Sequence, residues 1–329
     1  MLKPLTCFFS LCAGAAFAAP DPLEIVQKNV VPRFERLASQ ANLLEEAAKS
    51  DCSPDSPALR RAWAQAFDAW VEVSHLRFGP TEEQDRAFAL AFWPDTRGAT
   101  PKALAGLIAS QDPVVVDPGA FADVSIAARG FYAMEYLLFN PNYATESPYA
   151  CTLIQAEARD ISRLANDILA GWMTYQFEFA DNSERYRTRE EGLQELFKAV
   201  TTGLQFTSDT RIGRPMGTFE KPRASRAEAR RSERSVHHVR LSLQATQALA
   251  LWLAADLPKV SEDIEAAYEK AFAELDAQDS PVFADVDDPT GRFRVEMLQV
   301  AVDQVRDVIA RELGPELGVI AGFNSQDGD

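Results

Sequence analysis

The chain has 329 residues, is 47% hydrophobic and 25% charged, and carries a formal net charge of −16. An acidic surface of this kind repels nucleic acid and anionic lipid and attracts cations, so no nucleic-acid partner is expected. Once an N-terminal processing segment is set aside, about 310 residues remain, enough for one large domain or two moderate ones.

That segment spans residues 1–19. Lys3 supplies a positive start, Leu5 to Ala16 is an apolar run too short to cross a membrane, and Ala16-Phe17-Ala18 is a small-x-small cleavage site. Cutting is expected near Ala18 or Ala19. Leu11 stands before Cys12 where a lipoprotein needs a small residue, which argues against lipid attachment. No later stretch reaches the ~18 apolar residues of a spanning helix, so no transmembrane segment is expected in the mature chain. The expected location is the bacterial periplasm. Cys52 and Cys151 survive processing, and an oxidising compartment permits a disulfide. The sequence leaves open whether they meet.

The pattern predicts helices nearly throughout. The first runs from about Pro22 to Lys49, with Pro32 expected to kink or break it. The second starts near Pro57 and carries a stripe of Trp63, Phe67, Trp70, Ser74 and Arg77 until Phe78-Gly79-Pro80 ends it. Trp93-Pro94-Asp95 reads as a turn. A short helix over Lys102–Ser110 precedes another over Phe121–Phe139. Further helices are expected over Cys151–Phe177, Glu190–Phe206, Arg226–Ala255, Val260–Ala277 and Thr290–Leu313. No run alternates with the period of a strand. The fold class is therefore all-α, built from antiparallel helical bundles.

Residues 130–139, Gly-Phe-Tyr-Ala-Met-Glu-Tyr-Leu-Leu-Phe, are apolar almost all round, which marks a buried helix. Tyr132 and Glu135 stand at i and i+3 and project from one face. A carboxylate buried there needs a cation, a donor or a proton.

This decapeptide resembles the GxHxxE signature of the imelysin family, with Tyr132 where the family has histidine. Other blocks resemble the same family in order: Trp63 through Trp70 to Arg77-Phe78-Gly79-Pro80, then Trp93-Pro94-Asp95, then Asp209 to Gly217 with Ala227 to Ser235, and the closing run Leu313 to Asp329. The resemblance implies an all-helical fold of two four-helix-bundle-like halves, about residues 20–180 and 181–329, with a pocket between them. It also implies a link to periplasmic iron uptake and a place among metallopeptidases.

The candidate metal ligands are Glu135 and, displaced from position 132, His75. The cation would be iron or another divalent or trivalent ion, and the alternative is no cofactor. Tyr132 as a ligand would suit ferric iron better than zinc, against the alternative of a core tyrosine. Arg77, on the tryptophan stripe, is the natural partner for Glu135 if the pair is structural. Lys221 to Arg240 holds seven basic and two acidic residues. Within it Arg231, Ser232 and Ser235, together with Arg234, form a candidate anion site near a helix start, unless the chain's own acids neutralise them. With Arg77 and Tyr132 these residues line the expected ligand pocket. His237 and His238 are adjacent and cannot share one site on a regular helix.

Three functions fit. One is an accessory protein of iron uptake that binds a metal ion or small anionic ligand and works with periplasmic iron-transport proteins. The second is an imelysin-type metallopeptidase, against which the lost histidine counts. The third is a structural protein whose metal site has decayed to an Arg–Glu pair.

Overall fold

The computed structural model describes residues 20–319, so the processing segment and the last ten residues of the closing block lie outside the described residues. The described chain is helical, with two isolated bridges, Ala91 to Gly130 and Thr218 to Lys221, and no strand. In chain order the main helices are α1 (Val31–Ser50), α2 (Pro57–Val71), α3 (Ala99–Ser110), α4 (Gly130–Phe139), α5 (Pro148–Tyr175), α6 (Arg189–Gln205), α7 (Ser235–Leu253), α8 (Pro258–Asp276) and α9 (Pro289–Val308).

Pro32 marks an interruption of the regular α-helix but does not end the helical run. It lacks the N–H that would close a helical turn. The preceding stretch Val26–Val30 widens into a π turn, in which the Val31 N–H donates to the Val26 carbonyl five residues back, and α1 continues from there.

Helix α1 packs against α2 and α5, and α4 lies against α5. In the second half α6 packs on α7 and α9, and α8 on α7 and α9. The halves meet where α7 crosses α2 and where the opening turn Pro22–Ile25 touches α6. Apolar burial is continuous from Ile25 to Val319. Its aromatic centre includes Phe34 stacked on Trp172 at 5.0 Å and Phe67 stacked on Phe131 at 4.8 Å. Cys52, just past α1, and Cys151, in the first turn of α5, form a disulfide, with Cα atoms 5.1 Å apart.

Three helix boundaries lie far from where the pattern places them. Helix α2 stops at Val71 rather than at Phe78, because the chain turns inward to bury Val73 and Leu76. The signature helix starts at Gly130, not Phe121: Arg129 is extended (φ −130°, ψ 159°), and Gly130 has φ +83°. The third, α7, begins at Ser235 rather than Arg226, and this difference shapes the candidate site.

The start of α4 is fastened to α5 twice. The Gly130 N–H donates to Glu157 Oε2 at 2.8 Å, and Arg129 Nε to Asp160 Oδ2 at 2.8 Å, both in the interior. Burial, then the neighbouring Asp160, holds the Glu157 carboxyl well above the usual range. A Cβ on Gly130 would lie 2.3 Å from the carbonyl oxygens of both Ala89 and Leu90, at a φ that L-residues rarely adopt. Gly130→Ala should therefore cost about 3 kcal/mol or more. Urea unfolding measures this, and a midpoint within error of the wild type would refute the close approach.

Candidate functional site

The signature residues of α4 face the second half of the chain. Glu135 is 1% exposed. Its Oε1 accepts from the Arg231 N–H at 3.1 Å, the Ser232 N–H at 3.0 Å and the Ser232 hydroxyl at 2.8 Å. Its Oε2 lies 3.5 Å from the Arg231 guanidinium, which rests over the Tyr136 ring at 3.6 Å. Burial raises the Glu135 carboxyl above its ordinary range, against the opposing pull of Arg231 and Ser232.

The donors come from residues 227–234, which are turns and not the expected helix. Ala229 (φ 44°) and Glu233 (φ 59°) are left-handed and interrupt any helix there. Such alternation bends successive amides toward one point and makes an anion nest. The anion here is the chain's own carboxylate. Alanine, glutamate and arginine all favour helix, so local propensity points the wrong way, and the tertiary bonds to Glu135 override it.

A second carboxylate lies beside the first. Glu228, also 1% exposed, accepts a hydrogen bond from the Tyr132 hydroxyl. Arg211 Nε stands 2.9 Å from its Oε2, as an ion pair whose N–H is not aimed along the contact. His238 Nδ1 is 3.5 Å from the same oxygen. Burial pushes the Glu228 carboxyl up, but Arg211, then His238 and Tyr132, outweigh it and bring it down to about 2. Burial, followed by the Glu228 charge, pushes the Tyr132 phenol well above its ordinary value, so the phenol keeps its proton. Arg211 sits in a π turn, Phe206–Ile212, that extends α6 toward this cluster.

Of the remaining candidates, Ser235 adjoins this cluster, whereas Arg77 and His75 do not join it. Arg77 does not pair with Glu135. Beyond the end of α2 it turns to the surface, where it pairs with Glu82 and lies over the Phe88 ring at 4.9 Å. His75 is buried against Gly203, and burial, with Arg33 and Arg211 near, lowers it to about 3. A neutral imidazole with cations as its charged neighbours is not part of the Glu135 cluster. The Ser235 hydroxyl donates to the Glu228 backbone carbonyl. Arg234 pairs with Asp68, and exposed His237 lies 3.1 Å from the same carboxylate. Asp95 of the Trp-Pro-Asp turn accepts from the amides of Arg97, Ala99 and Thr100 and so caps α3. An open hollow of about 390 Å³ lies apart from this cluster, along residues 184–198.

These residues do not fit a metal ion as they stand. Each carboxylate faces a guanidinium, Glu135 with Arg231 and Glu228 with Arg211. The Tyr132 proton is spent on Glu228, and no group of three histidine, cysteine, aspartate or glutamate side chains placed to hold a metal occurs among the described residues. Glu228, Arg211 and His238 drew no site assignment from sequence, since nothing in their local spacing points to α4. The unusual burial demand of Glu135 was the available signal.

The family model described as Imelysin, Peptidase M75, matches residues 30–309. The chain belongs to the imelysin family. Its fold is shared with an imelysin-like protein from Psychrobacter arcticum 273-4, at TM-score 0.79 and 18% identity over 92% of this chain and 96% of that one. It is also shared with a protein from Parabacteroides distasonis ATCC 8503 named as an iron-regulated protein A precursor, at TM-score 0.70 and 12% identity over 89% and 96%. No curated protein matches the sequence. At these identities the structural likeness speaks for the imelysin fold alone.

Two outcomes test the cluster. Glu135→Ala leaves Arg231 and the nest without their anion and should cost about 3–5 kcal/mol. Glu135→Gln keeps an acceptor at Oε1 and should cost less. Denaturant midpoints of both variants decide this, and equal losses would refute the nest. Glu228 falls from an ordinary 4.5 to about 2 on folding. Its ionised form therefore contributes stability that is complete above about pH 4.5 and is lost as the pH falls toward 2. In Glu228→Gln that acid-side loss should shrink, as read from urea midpoints between pH 5 and 2. An unchanged slope would refute it.

Proposed function

We propose that this imelysin-family chain is a non-enzymatic accessory protein of iron uptake, exported to the periplasm, which works by binding rather than by metal-dependent proteolysis. The observation that carries this reading is the internal neutralisation of Glu135 by Arg231 and the Ser232 nest, beside Glu228 held by Arg211. A metallopeptidase needs a metal with an open coordination position and a base to activate water. Here the signature carboxylate is committed to donors of the opposite half, and the family histidine is Tyr132, a phenol that donates to Glu228. Both carboxylates act as fasteners between the halves, and the family's catalytic chemistry has no free group to start from.

The iron link draws on family membership and on the name of the Parabacteroides relative. Among the described residues no helix is long and apolar enough to cross a membrane, which accords with release of the mature chain after cleavage near Ala18 or Ala19.

The test combines location, growth and metal binding. Cell fractionation with N-terminal sequencing should find the processed chain in the periplasm. Deletion of the gene should slow growth under iron limitation, with recovery on complementation. Chelator-stripped mature protein should show neither peptidase activity nor stoichiometric Fe2+, Fe3+, Zn2+ or Ca2+ binding that depends on Glu135. Growth unaffected by the deletion would overturn the iron reading. Saturable metal binding lost in Glu135→Gln would overturn the closed site and restore the metal-centre reading.

A further inference from the structure

The basic run near the signature is only partly neutralised. Arg231 pairs with Glu135, Arg234 with Asp68 and Arg240 with Asp276. Arg214 and Arg226 have no carboxylate within 4.0 Å among the described residues. The short helix Gly213–Met216 and the 3₁₀ turn Ala224–Arg226 pack together and bring these two arginines near each other. The charge that Arg214 feels most is that of Arg226, which repels it. Arg214 is half-buried, and its Nε is shielded from solvent with no acceptor. A desolvated cation without an acceptor beside a like charge is a costly arrangement, and in a chain of net charge −16 a carboxylate could readily have stood there.

The surroundings are aromatic and lie at the junction of the halves. The Arg214 guanidinium stands 5.9 Å from the centre of the Trp93 ring. Trp93 is partly exposed, stacks with Tyr132 at 6.1 Å and meets the edge of Phe206 at 6.0 Å. The nearby Asp95 carboxylate is committed to the amides that cap α3. Two guanidinium forks favour an anion with two separated oxygen pairs, since each fork grips a carboxylate or phosphate bidentately. An indole face beside Arg214 favours a ligand with a carbon skeleton over a bare inorganic oxyanion.

We propose that Arg214, with the Trp93 ring beside it, and neighbouring Arg226 form a binding site for a small organic polycarboxylate, separate from the Glu135 nest. Neither arginine belongs to the two internal ion pairs, so the site can be removed without opening them. The proposal does not depend on the iron reading.

The test is calorimetric titration of the mature full-length chain with citrate, tricarballylate and inorganic phosphate at low and high salt. The two polycarboxylates should bind saturably at one per chain, and more weakly as salt rises. Arg226→Gln, at an exposed position, should weaken binding about tenfold, as should Arg214→Lys, which keeps the charge and loses the fork. Arg36→Gln, at a surface pair with Glu72, should leave binding unchanged. Absence of saturable polycarboxylate binding would overturn the site, as would equal affinity in wild type and Arg226→Gln. Phosphate binding as tight as that of the polycarboxylates would overturn the organic-acid assignment.

Discussion

A carboxylate inside an apolar helix has to be compensated, and the capture of Glu135 is the constraint on which the surrounding structure depends. Its apolar neighbours on α4, Phe131, Met134, Leu137 and Leu138, are buried and cannot donate, and the Tyr132 hydroxyl on the same face is spent on Glu228. Compensation therefore arrives from residues 231 and 232, nearly a hundred positions later in the chain. Two of the three donors to Oε1 are backbone amides. An amide in the middle of a helix is already spent on its own turn, so residues 227–234 must leave the helix for Glu135 to be satisfied. The left-handed residues Ala229 and Glu233 are the local consequence.

The same logic runs through the second carboxylate. Glu228 sits on that irregular segment and needs its own partners, which it takes from both halves: the Tyr132 hydroxyl from α4, Arg211 from the π turn after α6 and His238 from α7. One ion pair, Glu135 with Arg231, thus crosses the junction, and Glu228, paired with Arg211 in its own half, crosses it through the Tyr132 hydroxyl. A buried pair of this kind adds little net stability over a well-packed apolar contact, yet removing one partner is expensive. It therefore fixes how the halves meet more than it strengthens them. Tyrosine at position 132 belongs to this arrangement, because a neutral phenol can donate to Glu228 while its ring meets Phe67 edge-on and stacks with Trp93.

Neutralising the signature also redistributes charge. Arg231 and Arg234, on the segment expected to bind an anion, are occupied by Glu135 and Asp68. Part of the positive charge left over lies one step outward, at Arg214 beside Trp93 and at neighbouring Arg226. Any binding role of the protein is then more readily placed at the rim of the junction than at its centre.

The sequence by itself determined the helices, their apolar faces and the family. Periodicity and capping are local properties, so α5, α6, α8 and α9 lie close to where the pattern places them. The motif blocks likewise marked Tyr132, Glu135, Arg231, Ser232 and Ser235, and the structure draws all five to one junction. Tertiary structure alone decided which charges pair. Arg77 was the plausible partner for Glu135 by its place on the Trp63 stripe, but α2 ends at Val71 and carries the stripe no further, so Arg77 finds Glu82 instead. The run from Arg226 to Arg234 favours helix residue by residue, and only the demand of a distant buried carboxylate unwinds it. Electrostatic compensation acts through space, and the chain spacing of Glu135 and Arg231 carries no trace of it.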